Sequence, residues 1–73
     1  MKNSKIIAQI LNIKNIKHIN INSNLDNYTW DSMSMITLIS ILEEKYKKKI
    51  KTSSIRSIKT IKELDDLISK TIK

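Results

Sequence analysis

The 73-residue chain carries a net charge of +7 and contains no cysteine, glycine or proline. This length allows one domain with a small hydrophobic core, and the lack of cysteine excludes disulfides and thiolate metal sites. No apolar run has the length of a membrane span or the core of a signal peptide. We therefore expect a single cytoplasmic domain over residues 1–73.

The positive charge has two interpretations. A polyanionic partner is one of them. The other is a genome bias, because Ile, Lys and Asn, whose codons are A/T-rich, make up about half of the chain. Thirteen lysines stand against one arginine, although arginine is the residue favoured for phosphate and base contacts. We expect no nucleic-acid partner. A small basic module that binds nucleic acid or an anionic surface is the alternative function.

The first half of the chain predicts one helix and a long loop. Apolar residues at helical spacing indicate a helix over roughly Asn3 to Asn15. The stretch from Asn15 to Asn27 is rich in polar residues, and its one alternating segment has no second strand to pair with. We predict an ordered loop whose apolar side chains enter the core: Ile16, Ile19, Ile21 and Leu25.

The clearest predicted element is an amphipathic helix that follows Asp31, a good N-cap residue. Its core-facing stripe is formed by Met35, Leu38, Ile39, Leu42 and Tyr46. Its opposite face carries Met33, Ile36, Thr37, Ser40 and Glu44. Two large apolar residues near the start of this face suit a protein contact, although single exposed apolar residues are common on surfaces.

Two further helices are predicted after a run of lysines that suits a helix C-terminus (Lys47, Lys48, Lys49 and Lys51). A short third helix runs from about Ser53 to Ile58 and begins with a cap at Thr52 or Ser53. The fourth begins at Thr60, which forms a capping box with Glu63. Its apolar stripe comprises Ile61, Leu64, Leu67, Ile68 and Ile72. The pattern predicts an all-α, four-helix bundle with a short third helix and a long first connection.

Ser32 is the candidate chemical site. It would be the first residue of the second helix, where unpaired N–H groups and the helix dipole favour a phosphate ester. Catalysis is not expected, because His18 is the only histidine, and the adjacent Glu43 and Glu44 point in different directions. Ser32 also lacks a general base in its own sequence neighbourhood, so another protein must modify it. We expect neither enzymatic activity nor a metal site.

An ordered set of motifs spans the chain. Trp30-Asp31-Ser32-Met33 is followed by Leu42-Glu43-Glu44-Lys45-Tyr46, by Ile50, by the Thr52 to Ile58 segment and by Thr60-Ile61. The set resembles the acyl carrier protein family, in which Asp-Ser-Leu or Asp-Ser-Met opens the second helix and Leu-Glu-Glu-x-Phe lies near its end. The resemblance implies the acyl-carrier type of four-helix bundle.

The resemblance also implies a function. A phosphopantetheinyl transferase would move 4′-phosphopantetheine from coenzyme A onto Ser32, and the thiol of this arm would carry an acyl or aminoacyl group as a thioester. The other implied partners are a loading ligase and an acyltransferase or synthase. Asp31 would cap the helix and contact the transferase, Met33 and Ile36 would form an apolar contact, and the charged rim would be Glu43 and Glu44. We expect a monomer.

The chain departs from the family pattern at informative positions. Trp30 stands where many members have glycine, a variant that resembles stand-alone carriers of specialised pathways rather than of housekeeping fatty-acid synthesis. Met33, directly after Asp31-Ser32, also resembles the motif of the D-alanyl carriers. An aminoacyl carrier is therefore the alternative within the family. Typical members are acidic along the second helix, whereas its predicted outward positions here include Ser34, Thr37 and Lys45.

Overall fold

The computed structural model describes residues 3–28 and 30–72 as a bundle of helices. The helices are α1 (Ser4–Leu11), α2 (Ser32–Tyr46), α3 (Thr52–Arg56) and α4 (Ile61–Ile72). Two 3-10 turns, Ile16–His18 and Leu25–Asn27, lie in the connection between α1 and α2. α1 contacts both α2 and α4, α2 contacts α4, and α3 packs on α4. The predicted all-α, four-helix fold with a short third helix is confirmed.

One hydrophobic core joins the apolar faces of all four helices with Leu25 from the first connection. Its buried side chains are Ile6, Ile7, Ile10, Leu11, Leu25, Leu38, Ile41, Leu42, Ile55, Ile61, Leu64 and Ile68. The stripe predicted for α4 is found in this core, with Leu67 and Ile72 partly buried at its edge. Burial of these faces is the main favourable term that stabilises helices too short to persist alone.

The buried face of α2 is wider than predicted and is turned toward Ser34 and Ile41. Both of these residues are buried, so the prediction that Ser34 points outward is wrong. Tyr46, predicted in the core, is the last residue of α2 and is 37% exposed. The reason is that α2 contacts both α1 and α4. The predicted stripe of core-facing residues is therefore narrower than the face that α2 buries.

The prediction that every apolar loop residue enters the core is wrong at two positions. Leu25 is buried and Ile19 packs against the core. Ile16 is 43% exposed because it lies in a 3-10 turn that the Asn15 side chain closes by accepting from the Lys17 N–H. Ile21 is 37% exposed; its carbonyl, rather than its side chain, makes the tertiary contact, by accepting from the Lys62 N–H at 3.1 Å.

Backbone hydrogen bonds attach the first connection to the start of α4. The Leu25 N–H donates to the Lys59 carbonyl at 2.7 Å, and the Ile61 N–H donates to the Ser23 carbonyl at 3.0 Å. The predicted capping box of α4 is present: the Glu63 N–H donates to Thr60 Oγ1 at 3.1 Å, and Glu63 Oε1 accepts from the Thr60 N–H at 3.2 Å. The segment before α2 is therefore held against a well-capped helix end.

The side-chain cap predicted for α3 is not found. The helix begins at Thr52, and the residue before it is Lys51, which makes no side-chain capping bond.

α1 is shorter than predicted, because Asn12 adopts the left-handed conformation with φ 59° and ends the helix. Asn3 precedes the first residue of α1. Its side-chain amide donates to Asp65 Oδ1 at 3.0 Å and to Ser69 Oγ at 2.9 Å, both on α4.

Lys47 ends α2 in a left-handed conformation, with φ 57°. Glycine adopts this conformation without strain, whereas a Cβ atom adds roughly 1–2 kcal/mol. The chain has no glycine, so a lysine carries this strain. The following N–H, of Lys48, donates to the Leu42 carbonyl at 3.1 Å, which fixes the end of the helix.

Lys47→Gly is expected to be more stable than Lys47→Ala by about 1 kcal/mol, because both remove the charge and only glycine removes the strain. Urea denaturation of the two variants measures the difference. At Lys48, whose φ is not positive, the order is expected to reverse, with alanine more stable by roughly 0.5–1 kcal/mol. The same order at both positions would contradict the assignment of strain to Lys47.

Candidate functional site

Asp31 caps α2 in the way that the sequence predicts. Its backbone is extended, and its side-chain Oδ1 accepts from the Ser34 N–H at 3.0 Å and from the Ser34 hydroxyl at 3.2 Å. The Asp31 carbonyl accepts from the Met35 N–H at 3.1 Å. Because the Ser34 N–H donates to it, the pKa of the Asp31 carboxyl lies below its ordinary value, against a smaller opposing effect of desolvation.

Ser32 is the first residue of α2 and is exposed. No described residue forms a hydrogen bond with its hydroxyl. The cap uses Asp31 and Ser34, so it fixes the helix start without occupying Ser32. An exposed hydroxyl at the positive end of a helix accepts a phosphodiester without burying its charge, and the neighbouring N–H groups and the dipole stabilise the anion. The residues present therefore fit a phosphate-linked group.

The segment that leads into Ser32 is anchored by two aromatic side chains. Tyr28 and Trp30 both pack against the core, and the Trp30 N–H donates to the Tyr28 carbonyl at 3.0 Å. The Tyr28 hydroxyl accepts from the Asn20 N–H at 3.2 Å, which ties it to the earlier part of the connection. Trp30 thus orients the chain immediately before Asp31.

The predicted partner-contact residues fall into two groups. Met33 is 69% exposed and Ile36 is 57% exposed, and both lie on the first turns of α2 beside Ser32. Glu43 and Glu44 are exposed near the other end of this helix, roughly 16 Å from Ser32 at 1.5 Å per residue. The structure therefore places Asp31, Met33 and Ile36 around Ser32 and leaves the two glutamates apart from it.

The rest of the described structure offers little further chemistry. His18 is exposed, and its carbonyl accepts from the Tyr28 hydroxyl at 3.4 Å. Within residues 3–28 and 30–72, no cluster of three or more potential metal ligands occurs. Over the same residues, no helix combines the length and the hydropathy that crossing a bilayer requires.

Sequence reasoning missed a groove beside the start of α2. The groove has a volume of about 460 Å³ and is lined by residues of the first connection, by Trp30 and Met35, and by Arg56, Ile58 and Lys59 from α3 and the segment after it. Its lining residues come from three separate parts of the chain: 24–30, Met35 and 56–59. No local pattern in the sequence marks such a site.

The family model for the phosphopantetheine attachment site matches residues 4–68, which is most of the 73-residue chain. The chain belongs to this family. The match confirms the resemblance to acyl carrier proteins, and the domain implies a covalently attached 4′-phosphopantetheine. Domains of this family are non-catalytic carriers that work with partner enzymes such as transferases and synthases. A search of curated proteins finds no match to the chain.

The capping role of Asp31 predicts a pH-dependent effect of Asp31→Asn. Because the pKa of Asp31 is lower in the folded protein, its carboxylate stabilises the fold above the ordinary aspartate pKa of about 4. This contribution is lost as the pH falls through the lower, folded-state value. We expect Asp31→Asn to lower the melting temperature at neutral pH, and the difference from the unchanged protein to shrink toward zero in acid.

Thermal unfolding followed by circular dichroism at a series of pH values measures this difference. Asp26→Asn is the matched control, because Asp26 is exposed and caps no α-helix. A difference for Asp31→Asn that stays constant from neutral to acid pH would contradict the charged cap.

Proposed function

We propose that Ser32 is the residue that carries 4′-phosphopantetheine, and that the chain is a non-enzymatic acyl or aminoacyl carrier. One observation supports the residue most strongly. The Ser32 hydroxyl is exposed at the capped start of α2, and Ser32 lies within the part of the chain that the family model matches. Ser34, the next serine, is 4% exposed and engaged by Asp31, so it is not accessible to a modifying enzyme.

The proposed modification is a phosphoryl transfer from coenzyme A. A bond forms between Ser32 Oγ and the phosphorus next to the pantetheine, while the pyrophosphate link breaks and the adenosine bisphosphate leaves. The serine proton passes to a base on the transferase, since no described group of this chain bonds to the hydroxyl. The positive end of α2 stabilises the resulting phosphodiester. When attached, the arm supplies the thiol that carries the cargo.

We also propose that the first turns of α2 form the contact surface for partner enzymes. Met33 and Ile36 supply the apolar part of this surface, and Asp31 supplies a charge next to the reacting hydroxyl. Glu43 and Glu44 form a charged rim at its far end. The partners are a phosphopantetheinyl transferase, a ligase that loads the cargo, and an acyltransferase or synthase that takes it. The chain acts as one monomeric, cytoplasmic domain.

The proposed pathway is a specialised one rather than housekeeping fatty-acid synthesis. Trp30 in place of the more usual glycine supports this, and so does the chain's net charge of +7, which differs from the acidic character of typical members. Electrostatic complementarity sets the choice of partner, so enzymes adapted to acidic carriers fit this surface poorly. An aminoacyl cargo, such as D-alanine, is the alternative.

Ser32→Ala is expected to abolish the gain of one phosphopantetheine group when the protein is incubated with coenzyme A and a broad-specificity transferase. Intact-mass spectrometry detects the adduct. The matched control is Ser40→Ala, because Ser40 is an exposed serine on the same helix and is expected to leave the modification unchanged. No adduct on the unchanged protein, or an adduct that survives Ser32→Ala, would overturn the proposal.

Met33→Ser is expected to reduce the kcat/KM of this modification about tenfold, on the scale of about 1.4 kcal/mol for losing one apolar contact. The substitution removes an exposed contact, so the melting temperature should change little. Ile16→Ser is the control, because it removes another exposed apolar side chain outside α2. Equal effects of the two substitutions on kcat/KM would count against the contact surface.

A further inference from the structure

The groove beside α2 combines an apolar floor with a positively charged rim. Leu25, Trp30, Met35 and Ile58 form the floor, and each is buried or partly buried against the core. Arg56 and Lys59 line the same groove and are exposed. Arg56 is the only arginine in the chain. An apolar floor with a cationic rim fits a ligand that has an apolar body and an anionic end.

Two residues that line this groove lie close to the proposed attachment residue in the sequence. Met35 lies three positions after Ser32, and residues three apart share a face of a helix. Trp30 lies two positions before Ser32 and packs against the core. Trp30 and Met35 therefore place one end of the groove near the start of α2, from where we infer that a flexible arm bonded to Ser32 reaches it.

The charges of the groove favour an anion. Within the described residues, neither Arg56 nor Lys59 forms an ion pair with a carboxylate. Asp26 also lines the groove, which leaves a net positive charge there. The carboxylate of Asp31 is directed at the N–H groups of α2 and does not line the groove. Arginine binds carboxylates through two parallel hydrogen bonds, so Arg56 is the residue best suited to a carboxylate.

We propose that this groove binds the cargo and that the cargo is a short acyl group ending in a carboxylate. The proposal rests on attachment of the arm to Ser32. A long neutral acyl chain would leave the two cations at the rim without an anionic partner. The phosphodiester of the arm would not cover the apolar floor, and it is already stabilised at the helix start. A short acyl chain with an anionic end covers the floor and pairs with the cations.

A second cavity, larger than the groove, does not fit this cargo. It has a volume of about 710 Å³, and the charged residues among its described lining are Glu63, Asp66 and Lys70 of α4. Within the described lining, two carboxylates against one cation oppose the entry of an anion. None of the described residues that line it comes from the segment around Ser32. The charges and the position both favour the groove beside α2.

The test loads defined cargoes onto the full chain and uses Trp30, the only tryptophan, as the reporter. A broad-specificity transferase and coenzyme A, butyryl-coenzyme A or succinyl-coenzyme A give three loaded forms, each verified by intact mass. Butyryl and succinyl have the same number of carbons, and only succinyl has a carboxylate. We expect the succinyl form to shift the Trp30 emission more than the other two, and salt to reduce the extra shift.

Substitutions identify the groups responsible. Arg56→Gln combined with Lys59→Gln is expected to abolish the difference between the succinyl and butyryl forms, while Arg56→Lys retains part of it. Lys62→Gln is the matched control, because Lys62 is an exposed lysine that does not line the groove, and it should retain the whole difference. Circular dichroism verifies that each variant is folded.

Each outcome decides between the proposals. No adduct on Ser32 overturns the proposed function itself. Complete loading with equal emission for the succinyl and butyryl forms overturns only the anionic cargo. A full shift already present with unacylated phosphopantetheine assigns the cations to the phosphodiester and also overturns it. A succinyl-specific shift that survives the double substitution overturns the role of Arg56 and Lys59.

Discussion

The attachment of the first connection to the start of α4 is the constraint on which the rest of the site depends. A connection of this length with only two short 3-10 turns loses much conformational entropy on ordering. Here its backbone groups are paired: the Leu25 N–H with Lys59 and the Ser23 carbonyl with the Ile61 N–H, while the Leu25 side chain is buried in the core. The capping box of α4 holds the other side of this contact. Because Tyr28 and Trp30 follow directly and also pack on the core, the chain reaches Asp31 in a fixed direction.

The cap of α2 separates structural stability from chemistry at neighbouring residues. Asp31 accepts from the Ser34 N–H and hydroxyl, so the groups that fix the helix start are Asp31 and Ser34. Ser32, between them, contributes only its backbone to the helix. Its side chain remains available at a point where the backbone dipoles favour negative charge. We therefore expect a substitution at Ser32 to remove the proposed attachment site with little effect on the fold, and a substitution at Asp31 to weaken the cap as well as the proposed partner contact.

The sequence predicted well those features that depend on residues close together along the chain. The cap at Asp31, the Thr60–Glu63 box and the amphipathic stripe of α4 each follow from contacts within one helix. The errors lie where several elements meet. Ser34 and Ile41 are buried because α2 contacts both α1 and α4, which periodicity within one helix does not reveal. Ile16 and Ile21 are exposed where the connection is held by hydrogen bonds of the Asn15 side chain and the Ile21 carbonyl. The grouping of Arg56 with Trp30 depends on the tertiary fold.

Distance decides which of the many cations affect the site. The lysine run at 47–49 and 51 follows the end of α2, a helix of 15 residues, and so lies about 22 Å from Ser32 at 1.5 Å per residue. The Debye length at physiological ionic strength is about 8 Å, so exposed charges at that distance are largely screened. These lysines also face the negative end of the helix dipole, which offsets part of their charge. Arg56 and Lys59 border the groove that Trp30 and Met35, close to Ser32 in the sequence, also line. The helix start therefore sets the local field at Ser32, Arg56 and Lys59 set the charge of the groove, and the net charge of the chain acts mainly on the long-range approach of partners.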